Sequence, residues 1–217
     1  ALTLSLTLAE VMAEEGGDAR GALAVIEAAL AHHEGNARLR ERRVALCRTL
    51  HEPAALADAL QARGEPDDLL EAARLLHREV GDGARALRLY SRVLAEAKRH
   101  AGEEAHARRL ASALEGLVKL RIEDGDIAGA MEFMDKQLVE VEGPSIRALL
   151  LAEMGRITWQ STGDVAAARE RFDAALAEDP QHAGAKLGLA RMLVLAGELA
   201  DAEGHLLAAV DALALAG

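Results

Sequence analysis

The chain is short of cysteine, proline and aromatic residues. Its 217 residues include one cysteine, Cys47, so neither an internal disulfide bond nor a cysteine-based zinc site is available. Aromatic residues make up only 2%, which argues against a base-stacking surface and against an ordinary β-sandwich core. The four prolines stand among many Ala, Leu, Glu and Arg residues, and this composition predicts helices throughout.

Positive charge and long apolar runs are also lacking. The 25 Lys and Arg residues are outnumbered by 36 Asp and Glu residues, which gives a formal net charge of -11 and disfavours a nucleic-acid partner. No apolar run approaches the roughly 18–20 residues of a membrane span, so we expect none. The apolar start has no basic segment of the kind that opens a signal peptide. Cytoplasm and periplasm both stay open as the compartment, with the cytoplasm favoured.

One marker recurs along the chain. It consists of a small residue in one helix, a Gly-Asp or Gly-Glu pair, and a second small residue in the next helix, 12 or 13 positions after the first. A degenerate copy places Ala45, a turn at Glu52-Pro53, and Ala57 in the same order. The five clearer copies are Ala9 with Gly17-Asp18 and Ala22, Ala73 with Gly81-Asp82 and Ala86, Val118 with Gly125-Asp126 and Ala130, Gly155 with Gly163-Asp164 and Ala168, and Ala190 with Gly197-Glu198 and Ala202.

Each part of the marker has a structural role. Glycine adopts positive φ angles readily and so ends the first helix, while the aspartate after it is placed to cap the next helix. The two small residues let the paired helices approach closely. Larger apolar residues such as Tyr90 and Phe172 follow the second small residue at helical spacing and predict a core between the helices. The pattern predicts twelve helices, over roughly residues 2–15, 18–33, 37–51, 54–63, 66–79, 83–101, 104–123, 127–141, 145–161, 165–178, 182–196 and 199–214.

The residues of this marker resemble those of the tetratricopeptide repeat (TPR) family. The clearest copy runs from Leu149 through Ala168 and Phe172 to Pro180. The next copy begins at Ala183, 34 residues after Leu149, which is the period of that family. The similarity extends over about six units and nearly the whole chain.

The resemblance implies an all-α fold, a right-handed α-solenoid of about six TPR-like helix-turn-helix repeats. We expect residues 1–217 to form a single solenoid with an irregular junction at 98–109. Because the chain begins without Met and ends in mid-pattern, we interpret it as a piece of a longer array. Its richness in Ala, Arg, Glu and Leu suggests a bacterial source with a GC-rich genome.

No constellation for catalysis or metal binding stands out. The chain has no glycine-rich phosphate loop and no H-E-x-x-H motif, and its eight histidines are scattered. Acidic pairs at helix starts and ends are typical of solvated surface rather than of an active site. We therefore expect no catalytic residue, no metal ligand and no cofactor, in a protein that is not an enzyme.

The resemblance also implies a concave groove lined by the first helix of each repeat. In the last four repeats the position after the first small residue holds a cation, and these are Arg74, Lys119, Arg156 and Arg191. Neighbouring positions complete the expected protein-binding groove, namely Arg42, His77, Arg78, Trp159, Leu187 and Val194. Arginine pairs bidentately with carboxylates, so a basic, partly apolar groove suits an acidic partner. The alternatives are ordinary solvated arginines and, for Trp159, core packing between repeats.

These features predict a non-enzymatic scaffold that binds an acidic or amphipathic peptide, helix or protein subunit in the groove. The carboxylate clamp of the chaperone-binding family members is excluded, because it needs two asparagines and the chain has only Asn36. Two alternatives stay open. One is a structural module that forms homo-oligomers through its apolar terminal helices, and the other is a regulatory arm of a larger enzyme or transcription regulator.

Overall fold

Helices joined by short turns and loops make up the described chain, which in this computed structural model comprises residues 2–99 and 104–216. All twelve predicted helices are present there, close to their predicted bounds. Residues 100–103, which belong to the predicted junction at 98–109, lie outside the described residues. In chain order the helices are α1 (Leu2–Glu14), α2 (Ala19–His32), α3 (Ala37–Leu50), α4 (Pro53–Arg63), α5 (Pro66–Leu75), followed by a π-helical turn (Leu76–Val80), then α6 (Gly83–Arg99), α7 (Glu104–Glu123), α8 (Ile127–Glu140), α9 (Pro144–Thr162), α10 (Val165–Glu178), α11 (Ala183–Ala196) and α12 (Leu199–Ala216).

The chain packs as two compact units, Ala1–Leu120 and Arg121–Gly217. Within the first unit each helix from α1 to α6 packs against the next one along the chain. Within the second unit the same holds from α8 to α12, and α9 also packs against α11. Helix pairs that stack on their chain neighbours are the packing of a helical repeat protein, so the predicted fold class is confirmed. The boundary between the units falls inside α7. A single continuous solenoid and the hand of its superhelix stay predictions.

The turn chemistry predicted from the marker is confirmed. The glycines at the five predicted helix ends have positive φ angles, and they are Gly17, Gly81, Gly125, Gly163 and Gly197. Four aspartates cap the following helix by accepting a backbone N–H three residues on, namely Asp18 from Gly21, Asp82 from Arg85, Asp126 from Gly129 and Asp164 from Ala167. In the degenerate copy His51, at φ 53°, takes the left-handed conformation that glycine holds elsewhere.

The small residues of the marker are buried in every copy except the degenerate one. A Cβ built on Gly155 would lie 3.1 Å from the carbonyl oxygen of Ala168, so the two helices of that repeat approach closely, as predicted. Ala45, by contrast, is exposed, while Leu46 and Cys47 beside it are buried. The register predicted for the second repeat is therefore wrong, and Cys47 is the buried small residue near the end of α3. That repeat has no glycine at its turn, so the sequence pattern did not mark where its first helix ends.

In each compact unit, an aromatic ring of one repeat packs against a glycine of the following repeat. In the first unit Tyr90 on α6 is 2% exposed, and a Cβ built on Gly116 of α7 would lie 2.5 Å from its Cε1 atom. In the second unit Phe172 on α10 is 1% exposed, and a Cβ on Gly188 of α11 would lie 2.5 Å from the corresponding atom. Both glycines therefore provide the space that the ring of the preceding repeat occupies.

Helix α11 begins at an uncommon cap, the imidazole of His182. Its Nδ1 atom accepts a hydrogen bond from the backbone N–H of Ala185 at 3.2 Å, which requires that nitrogen to be unprotonated. Burial holds the pKa of His182 below its ordinary value, against the smaller opposing influence of Asp179 and Glu153. The cap and the neutral imidazole therefore support each other.

We expect His182→Ala to lower the free energy of unfolding by about 1 kcal/mol near pH 7.5, and by less near pH 5. Because the pKa is lowered in the folded state, the stabilisation is fully present above the ordinary pKa of about 6.5 and is lost as the pH falls toward the folded-state value. Urea unfolding of both proteins at the two pH values measures the difference. His182→Asn keeps a cap that does not titrate, so a wild-type protein that loses no more stability than His182→Asn on acidification would contradict the assignment.

Candidate functional site

A cleft of about 350 Å³ lies in the first unit between α5 and α7. Helical spacing places its α5 side chains on one face of that helix, and the same is true of its α7 side chains. The cleft combines three guanidinium groups with one carboxylate, one hydroxyl and one leucine. We call it the arginine cleft, and it is lined by Asp67, Leu70 and Arg74 of α5 and by Arg108, Arg109 and Ser112 of α7.

One carboxylate in the arginine cleft already forms a bidentate ion pair. Arg109 donates from Nε and from Nη2 to the two carboxylate oxygens of Asp67, each at 2.8 Å. The hydrogen bond and charge of Arg109, with a contribution from Arg108, hold the pKa of Asp67 below its ordinary value. On the same side of the cleft, Arg74 Nη2 donates to the hydroxyl of Ser112 at 3.1 Å. The geometry therefore suits carboxylate recognition.

A second cleft in the same unit, of about 300 Å³ between α1 and α3, has a different charge balance. Arg42, one of the predicted groove residues, lies there with its Nη2 atom 3.2 Å from Glu14 Oε1. Two arginines and two glutamates line this cleft, so its formal charges cancel. Its lining residues are Leu6, Glu10, Arg38, Glu41, Arg42 and Ala45. Of these two clefts of the first unit, only the arginine cleft carries an excess of positive charge.

The remaining predicted groove residues of the first unit lie outside the arginine cleft. His77 is half-buried, with its ring at 88° to that of Tyr90 and the centroids 6.3 Å apart, so it takes part in packing. Arg78 is exposed on the π-helical turn, and Lys119 is exposed on α7. Arg74 is thus the one predicted residue that lines the cleft.

In the second unit the predicted groove residues lie on α9 and α11, which pack against each other. Arg156 is held by Glu153, with Nε at 2.9 Å and Nη2 at 2.6 Å from Oε2, and its Nη1 atom donates to Gln160 at 2.7 Å. Arg191 is exposed on α11. The side chains of Leu187 and Val194, also exposed, lie one turn to either side of it.

Trp159 is half-buried and packs against the hydrophobic cluster that surrounds Phe172. This contact agrees with the core-packing alternative for the tryptophan. Its remaining exposed surface lies on α9, the helix that also carries Arg156. The ring therefore anchors the repeat core and leaves only part of its area for a ligand.

The single cysteine lies in the packed interior. Cys47 is buried and burial raises the pKa of its thiol, which disfavours the thiolate that acts as a nucleophile. Among residues 2–99 and 104–216, no three His, Cys, Asp or Glu side chains are grouped so that they could hold a metal ion. No helix within those ranges is both long and apolar enough to cross a membrane.

Sequence reasoning missed Arg108, Arg109, Asp67 and Ser112. A signal for them was present, because Ser112 and Arg108 precede the predicted groove residue Lys119 by two and three helical turns on one face of α7. The pairing of α5 with α7 across the cleft needed the structure.

Comparisons with known proteins identify one segment of the chain. Residues 161–214 match the family model described as Tetratricopeptide repeat, which confirms the predicted resemblance there. No curated protein sequence gives a significant match. The human IFIT1 dimer with PPP-AAAA is 19% identical over 90% of this chain and 46% of that chain, with a TM-score of 0.49. PilW, described as a widely conserved type IV pilus biogenesis factor, is 16% identical over 98% of this chain and 90% of that chain, with a TM-score of 0.48.

The chain thus spans less than half the length of IFIT1.

Proposed function

We propose, starting from the tetratricopeptide repeat at residues 161–214, that this protein is a non-enzymatic scaffold for protein–protein interaction. Stacked helix pairs expose extended surfaces that suit such a role. We propose further that it binds an acidic or amphipathic segment of a partner protein, and that the arginine cleft receives the carboxylates. The observation that carries the proposal is the collection of three guanidinium groups around one carboxylate in that cleft.

The arginine cleft has donors available for a second carboxylate. Arg109 is engaged with Asp67, but the hydrogen bond of Arg74 goes to the neutral hydroxyl of Ser112. Within the described part of the chain, the charge of Arg74 is therefore not matched by a carboxylate. A carboxylate brings the opposite charge and can accept two parallel hydrogen bonds from one guanidinium, whereas a hydroxyl is neutral, so an incoming carboxylate can displace the hydroxyl. Leu70 supplies apolar contact beside it.

The overall charge of the protein works against an acidic ligand. A formal net charge of -11 repels it at long range, whereas the arginines attract it only locally. At physiological ionic strength the screening length is about 8 Å, so the long-range repulsion is weakened more than contact pairing within the cleft. Binding is therefore expected to depend on the few cations that touch the ligand.

We expect the double variant Arg74→Glu/Arg108→Glu to bind an acidic, partly apolar peptide at least about tenfold more weakly than the wild-type protein, because two attractive contacts become repulsive. The probe is a short fluorescein-labelled peptide of alternating glutamate and leucine, and the readout is its fluorescence anisotropy. A peptide with lysine in place of glutamate tests whether binding requires the negative charge.

The matched control is Arg88→Glu/Arg92→Glu, which changes the net charge equally in the same unit. Both arginines are exposed on α6 and lie outside the arginine cleft. The control variant should retain the affinity of the wild-type protein. Equal weakening by both pairs would reduce the effect to general charge repulsion and would overturn the assignment of the cleft.

The surface on the second unit is tested separately. If Arg191 and its flanking leucine and valine also contact the ligand, Arg156→Glu/Arg191→Glu weakens binding of the same peptide. Arg156 is partly exposed and is paired with Glu153. Arg191 has no carboxylate partner among the described residues. An unchanged affinity would confine the ligand to the first unit.

A further inference from the structure

The outward face of α12 carries a regular apolar stripe that no described residue covers. Leu199, Leu206, Val210 and Leu213 are 64%, 39%, 62% and 63% exposed. With Glu203, which is also exposed, they follow the alternating spacing of four and three residues that marks a coiled-coil seam. The stripe extends for about 21 Å along the helix. A neighbouring face of α12 is packed into the unit, because Ala202, Ala209 and Ala212 are buried.

The residue types in this stripe fit a helix-pairing seam. Leucine fills one of the two alternating seam positions, at 199, 206 and 213, while the other holds Glu203 and the β-branched Val210. Leucine at one position and a β-branched residue at the other favours pairing of two helices, and a single polar seam residue fixes their register. A buried glutamate is stable only opposite a cation.

We infer that this stripe, together with Glu203, is a docking surface for a basic amphipathic helix that places a lysine or arginine opposite Glu203. The charge around the stripe supports the inference. Asp201 and Asp211 are exposed elsewhere on α12, and this helix contains no lysine or arginine. Its partner must therefore supply the positive charge. The site is independent of the arginine cleft, which lies in the other unit.

The terminal helices of a second copy do not meet that requirement. These helices are α12 and α1, and in α1 the side chains of Leu4, Leu8 and Val11 are exposed. Neither helix contains a lysine or arginine, and both carry acidic side chains. Pairing either of them with α12 would bury Glu203 without a cation and bring like charges together.

The test uses a synthetic helical peptide of about three heptads, with leucine in the seam, one lysine at the position that meets Glu203, and lysines on its flanks to keep it monomeric. Its matched control differs by one residue, a glutamate in place of the seam lysine. Titration calorimetry measures both peptides against the wild-type chain and against Glu203→Lys. We expect the lysine peptide to bind the wild-type chain at least about tenfold more tightly than the glutamate peptide, and Glu203→Lys to reverse that order.

Further variants make the outcome decisive. Leu206→Asp/Val210→Asp changes two exposed seam residues and should abolish binding while leaving helicity unchanged, whereas Arg74→Glu/Arg108→Glu should leave it intact. Equal affinity for the two peptides, or binding that survives Leu206→Asp/Val210→Asp, would overturn the inference. So would a wild-type dimer in light scattering that Leu206→Asp/Val210→Asp dissociates, because the occupant would then be a second copy.

Discussion

Replacing Phe172 by alanine is expected to lower the free energy of unfolding of the second unit by about 3–5 kcal/mol. The ring is 1% exposed and lies in a buried cluster to which α9, α10 and α11 all contribute. Truncation removes the ring from that cluster and leaves a cavity that its mostly small neighbours cannot fill. Besides Phe172, the buried members of the cluster are Ala148, Ala152, Ala168, Ala175, Ala185, Leu189 and Met192.

The other phenylalanine of the chain provides the control. Phe133 on α8 is half-buried, and the guanidinium carbon of Arg121 lies 4.4 Å from its ring centroid. Phe133→Ala removes less buried apolar surface than Phe172→Ala does, and it also removes a cation–π contact worth about 0.5–1 kcal/mol. The total loss of stability should be well below that of Phe172→Ala. Urea unfolding followed by far-UV circular dichroism compares the two variants. A similar loss in both would mean that the cluster does not dominate the stability of the unit.

The second large effect is expected at Gly188, where alanine should destabilise the protein by about 1–3 kcal/mol. The added methyl group would lie 2.5 Å from Phe172 Cε1, well inside van der Waals contact. Because the ring is buried among close-packed residues, it cannot swing away without displacing its neighbours. This cost exceeds the helix-propensity gain of about 1 kcal/mol that alanine offers over glycine.

The same substitution at Gly204 is expected to have the opposite sign. Gly204 lies inside α12 in the same unit, is exposed, and would have no atom within 4 Å of an added Cβ. Gly204→Ala should therefore stabilise the protein by about 0.5–1 kcal/mol through helix propensity alone. In a double-mutant cycle, Phe172→Leu should reduce the cost of Gly188→Ala, because it removes the ring atoms that the methyl group meets. Additive effects would show that the clash lies elsewhere.

The helices and turns of this protein follow from local sequence rules. Gly-Asp pairs such as Gly163-Asp164 mark a helix end and the next cap within two residues, so their positions could be predicted without tertiary information. The same rules failed for Ala45 in the degenerate copy. The turn of that copy has His51 in the left-handed conformation in place of a glycine. The pairing of Phe172 with Gly188 was not predicted either. It joins two repeats, and a single repeat pattern does not reveal which residues meet across that junction.

The candidate site was predicted only in part, because a helical pattern assigns a face to a residue but not its partners. Arg74 was predicted as a cation of the concave groove, which stays a prediction, and the carboxylate and hydroxyl beside it in the cleft come from residues outside the marker. Arg156 was expected as a groove cation in the same way. Its charge is neutralised by Glu153, one turn earlier on the same helix, and this pairing depends on side-chain conformation.

Tyrosine and tryptophan, the most strongly emitting residue types, occur once each and in different compact units. The only tyrosine of the chain, Tyr90, lies in the core of the first unit, and the only tryptophan, Trp159, packs against the core of the second. Indole emission excited at the red edge of the spectrum therefore reports on the second unit alone. Phenol emission, recorded in Trp159→Phe, reports on the first. Coincident melting curves for the two chromophores would identify one cooperative folding unit, and separated curves would identify two.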